Sequence, residues 1–115
     1  SLARVRLHIS FEDENSLGPG KAQLLEGVRD LGSISKAARA MGMAYRHAWL
    51  LLDDLGRCFG GPLVAGQTGG RSGGGASLTP LGVEVLRRFR ALERATKKAA
   101  ETQLRALEEL RAKRR

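Results

Sequence analysis

The chain has 115 residues, 42% of them hydrophobic, and its 20 Lys and Arg outweigh 12 Asp and Glu to give a formal net charge of +8. That length fits one domain around one modest core, that hydrophobic content excludes a disordered tail, and that charge points to an anionic partner, nucleic acid before a membrane surface. The single cysteine, Cys58, excludes an internal disulfide and a thiolate zinc cluster and fits a reduced, cytoplasmic setting, while no apolar run approaches the length of a membrane span.

In chain order, ARVRLHISFED puts Val5, Leu7, Ile9 and Phe11 on one side and Arg4, Arg6, His8 and Ser10 on the other, the period of a half-buried strand. ENSLGPG supplies turn residues. A helix follows over PGKAQLLEGVRDLG, with Leu24, Leu25, Val28 and Leu31 at helical spacing and Gly32 as its stop. Next, Ser33 or Ser35 caps a short helix through Met41, in which Ala37, Ala38 and Met41 share a face. Gly42 breaks the pattern where the backbone needs a positive φ. A second helix runs from about Tyr45 to Phe59 and is expected to bury Ala48, Trp49, Leu51, Leu52 and Leu55. Two short helices joined by a glycine turn form a helix-turn-helix, and the small Ala38 and Ala48 allow their close crossing.

Behind the second helix, PLVAG and ASLT read as two short strands. Between them lies most of the glycine-rich stretch GQTGGRSGGGASLTPLG at residues 66–82, which holds seven glycines. Glycine makes ordering costly, so this stretch cannot serve a core, and its place at the tip of a hairpin is that of a wing lying against phosphates or a groove. Thr79 and Pro80 then start a helix that nothing interrupts before about Arg111. Its apolar stripe is irregular for a leucine zipper and better suited to packing on a twin across a dyad. Val85, Phe89, Leu92, Leu104 and Leu107 are the expected dimer contacts.

From GKAQLLEGVRDLGSISKAARAMGMAYRHAW through GGRSGGGASLTPLG the chain closely resembles the N-terminal DNA-binding domain of the ModE-type molybdate-responsive regulators, and more distantly the LysR-type regulators. The resemblance spans about residues 3 to 110. It rests on GSISKAA, AYRHAW, TGGRSGGGASLT and Gly82. It implies a winged helix-turn-helix dimer on a two-fold-symmetric operator, with Tyr45, Arg46 and His47 at the start of the recognition helix and Arg71 as the basic wing residue. Ala44 departs from the serine common at that place in the family, and ModE-type regulators continue into a molybdate-binding module. No molybdate site is visible in this chain, which fits either a stand-alone protein or an excised piece.

The expected DNA-binding residues are thus Ser33, Ser35, Lys36, Tyr45, Arg46, His47, Thr68 and Arg71. The two serines are explained equally well by simple helix capping. Trp49, beside the Leu50 to Leu52 run, reads as core rather than as a stacking platform. GPGKA lacks the spacing and the hydroxyl residue of a phosphate-binding loop. Neither histidine has partners at metal spacing and no nucleophile–base pair stands out, so no cofactor and no enzymatic activity are expected.

The sequence reading is a mainly α fold with a small β-hairpin: a winged helix-turn-helix over residues 1–79, its wing at about 62–79, continued at 80–115 by a long dimerisation helix within the same domain. The expected partners are double-stranded DNA and a second copy of the chain, with no membrane. A sequence-independent architectural nucleic-acid binder and a protein-interaction module stand as rivals.

Overall fold

The computed structural model describes residues 3–67 and 75–114, with main chain alone at Gln67. Four helices and two small antiparallel pairs succeed one another as β1 (Ile9–Ser10), β2 (Ser16–Leu17), α1 (Pro19–Leu31), α2 (Ile34–Ala40), α3 (Tyr45–Phe59), β3 (Val64–Gln67), β4 (Gly75–Leu78) and α4 (Pro80–Lys113).

The alternating N-terminal stretch forms far less strand than its pattern predicts. Only Ile9 and Ser10 pair, with Leu17 and Ser16, because the chain reverses after Phe11 and offers no longer partner. The inward side of the alternation is kept: Leu7, Ile9 and Phe11 pack against the core, and the Phe11 ring meets Phe59 edge-on at 5.5 Å. Val5 stays exposed.

Pro19 starts α1 at a position where its missing N–H costs nothing, and Gly32 ends the helix at φ 69°, its N–H bonded to the Val28 carbonyl. Ala22, Leu24, Leu25 and Val28 are fully buried, whereas Leu31, in the final turn, is exposed. A Cβ at Gly27 would stand 2.9 Å from that of Ala37, so the absence of a side chain lets α1 and α2 approach at backbone distance.

Of the two candidate caps for α2, Ser33 does the work: its Oγ accepts from the Lys36 N–H at 3.2 Å, and Ser35 is exposed. Gly42 turns the chain at φ 69°. Helix α3 buries Ala48, Leu52 and Leu55, with Phe59 packed against the same core at the next step, and it ends at Gly60 in the left-handed region. That stripe runs at spacings of four, three and four, and Trp49 lies off it. The expectation that Trp49 is core is therefore corrected: it is 45% exposed. Leu51 is half-buried.

Strands β3 and β4 pair from Val64 with Leu78 to Gln67 with Gly75, directly behind α3. The Ala76 N–H on the Gly32 carbonyl ties the hairpin to the end of α1, and the Thr79 N–H on the Leu63 carbonyl continues the ladder at the hairpin's base, each at 2.9 Å. Helix α4 has 34 residues, about 51 Å at 1.5 Å per residue. Its first turns close the core with Val85, Leu86 and Phe89. This corrects the expectation that Val85 and Phe89 face a partner, since at 8% and 2% exposure they are spent inside the chain.

Candidate nucleic-acid interface

The geometry follows from which side of α3 the core consumes. Ala48, Leu52, Leu55 and Phe59 turn inward, so the opposite side faces out. Arg46, Leu50, Asp53 and Arg57 follow one another there at spacings of four, three and four, which puts them on one outward stripe. Tyr45 and Trp49, also one turn apart, flank that stripe and wall a cleft of about 880 Å³ that reaches across to the hairpin. Ser33, Ile34 and Ser35 at the start of α2 form one side of this cleft, and Val64, Gly66, Gly75 and Ala76 of the hairpin form the other.

The electrostatics are uneven. Arg57 is held by an ion pair with Asp53 and lies 3.8 Å from Asp54, and the Asp53 carboxylate raises the guanidinium above its ordinary value. Arg46 is exposed and makes no salt bridge among the described residues, which leaves its guanidinium available to an outside anion. It stands in the first turn of α3, where unpaired backbone N–H groups add partial positive charge. No acidic residue occupies that turn, and Ala44 supplies no side-chain cap. Lys36 and Arg39 on α2 are exposed as well. Burial and the nearby Asp13 push the Cys58 thiol up.

Among the sequence-expected residues, the fold brings Ser33, Ser35 and Tyr45 to the cleft. Lys36, Arg46 and His47 are all exposed on the same two helices. Thr68 and Arg71 lie outside the described residues. Sequence reasoning missed the outward position of Trp49, and the missed signal was the 48, 52, 55, 59 spacing, which already defined the buried stripe without it.

A helix-turn-helix with a two-stranded hairpin directly behind its second helix defines a winged helix-turn-helix domain, here extended by a long C-terminal helix. The model of the bacterial regulatory helix-turn-helix proteins of the lysR family matches residues 20–83, from the start of α1 into α4. The chain therefore belongs to that family, and its helix-turn-helix is of the ModE type. It is 44% identical over 71 residues to the molybdenum transport protein ModE of Herbaspirillum seropedicae, a match covering 62% of this chain and 26% of that protein. To the molybdenum-pterin-binding protein MopA of Rhodobacter capsulatus it is 39% identical over 83 residues, 72% of this chain and 31% of the other. To the DNA-binding transcriptional dual regulator ModE of Escherichia coli it is 30% identical over 97 residues, 84% and 37%. The chain thus spans roughly a quarter to two fifths of the length of these relatives.

Proposed function

We propose that this chain is the DNA-reading part of a sequence-specific transcriptional regulator that acts as a homodimer in the cytoplasm. Helix α3 enters the major groove with Tyr45, Arg46 and His47 leading. The start of α2, with Ser33, Ser35 and Lys36, and the wing, with Thr68 and Arg71, hold the flanking phosphates. The outer part of α4 joins two copies. The observation that carries this reading is the exposed Arg46 at the N-terminal end of a recognition helix whose opposite side is fully committed to the core.

Binding-site selection from random duplex DNA tests it, at physiological salt and with the purified chain. A two-fold-symmetric consensus is the expected outcome, with half-sites about one helical turn or a multiple of it apart. Enrichment of duplexes without a consensus would favour an architectural binder, and no enrichment would favour a protein-interaction module. Arg46→Ala is expected to weaken binding to the selected duplex by about tenfold to a hundredfold, the range for one lost base or phosphate contact. A variant that binds like the wild type would remove Arg46 from the interface.

A further inference from the structure

Trp49 and Leu50 stand on the face that the proposed contact needs, and phosphate binding does not account for them. They are 45% and 38% exposed, large, apolar and adjacent in sequence. Leu50 lies one turn past Arg46 on the outward stripe, and Trp49 lies one turn past Tyr45, in the wall of the cleft. Both side chains are thus left open to solvent next to Arg46, on the face proposed to meet DNA. Arg46 one turn before Leu50 and Asp53 one turn after it flank them with charge, which suits a polar partner that carries small apolar groups. The edge of a base pair in the major groove is such a partner, and the apolar group it presents is the C5-methyl of thymine.

We infer that Trp49 and Leu50 read thymine methyl groups in the major groove, so that part of the sequence preference of this domain comes from apolar contact rather than from hydrogen bonds. The inference rests on the groove-reading role proposed for α3. Arg46 supplies attraction and register beside the patch, and the two apolar side chains reject base edges that offer only polar groups at the same place. Covering one methyl-sized group changes affinity about fourfold, so each thymine read in this way contributes a modest but measurable preference.

The test uses the duplex returned by selection, remade with deoxyuridine in place of thymidine at one consensus position at a time. Uracil keeps the base pair and loses only the methyl. The expected result is about fourfold weaker binding at one or more thymine positions. Trp49→Ala and Leu50→Ala each abolish the difference between thymine and uracil at the position that residue reads. Arg46→Ala weakens the thymine and uracil duplexes alike and keeps their ratio. Both apolar side chains are outside the core, and Trp49→Phe, which keeps an apolar surface, is expected to retain the preference. A circular-dichroism melt on each variant separates a lost contact from a lost fold. A consensus without thymine, or one whose thymines all tolerate uracil, would overturn the inference and leave the regulator reading standing. So would a thymine preference that survives both alanine variants. A selection without any consensus would overturn both readings together.

Discussion

Gly82 is the third residue of α4, and a Cβ built there would stand 2.1 Å from the Leu63 carbonyl oxygen, far inside any tolerable contact. The obstruction is backbone, fixed because the same carbonyl accepts the Thr79 N–H, so relief requires moving the whole start of the helix away from the wing. Gly82→Ala is accordingly expected to destabilise the fold by about 1–3 kcal/mol, the range for a core forced to accept extra volume. Gly20 gives the opposite sign. It lies within the first turn of α1 with nothing within 4 Å of its would-be Cβ, so Gly20→Ala is expected to stabilise by about 0.5–1 kcal/mol through loss of unfolded-state freedom. Chemical denaturation of the two variants checks both, and a Gly82→Ala protein as stable as the wild type would mean that the helix start is not held against the wing. The need for glycine at residue 82 was visible in the sequence only through the family resemblance. Its physical reason was not, because Leu63 comes close only after the hairpin has folded. Trp49 was misplaced for a different reason: the neighbouring Leu50 to Leu52 run argued for burial, while its phase on the helix argued against it, and the phase decided.

Thr79 shows how one residue joins two elements. Its hydroxyl accepts from the Gly82 N–H at 3.0 Å, capping α4, and donates to the Pro62 carbonyl at 2.7 Å, where the chain enters the wing. Thr79→Ala loses both bonds and is expected to cost about 1 kcal/mol, typical of a lost cap, whereas Thr79→Ser keeps both and costs less. Denaturation midpoints for the pair check this; equal losses in Ala and Ser would mean that the methyl group, not the hydroxyl, matters. Start and stop signals of this local kind made the helices legible. Pro19 with Gly32, Ser33 with Gly42, and Thr79 with Pro80 mark their bounds within a residue or two of where they fall. The N-terminal strand was not legible in extent, because a strand needs a partner and its own alternation is silent about how long that partner is. Ile9 and Ser10 pair while Val5 and Leu7, equally suited by residue type, do not.

The molecule measures 61 × 28 × 21 Å with a radius of gyration of 17.4 Å. A compact chain of this length would have a radius of gyration of about 13 Å, and the excess is the outer part of α4 running beyond the core. Past Phe89, Arg90 still pairs with Glu26 of α1, and farther out the helix faces residues 3–7 across a groove lined by Thr96 and Leu104, while Leu92, Leu107 and Leu110 stay exposed. Because Val85 and Phe89 are already buried at home, the proposed pairing of two chains has to use the helix beyond them. Replacing both Leu104 and Leu107 by Asp puts two charges on that surface without touching the buried contacts of Val85, Leu86 and Phe89. The expected product melts as a folded domain but sediments as a monomer at micromolar concentration. Its affinity for a duplex with two half-sites falls by about a hundredfold or more, since the second contact is no longer carried in by the first. Its affinity for a single half-site is unchanged, because α2, α3 and the wing remain intact. Sedimentation and binding to one-site and two-site duplexes decide the matter together. A wild-type chain that is already monomeric at these concentrations would refute the α4 dimer, and a double variant that remains dimeric would place the contact on a different surface.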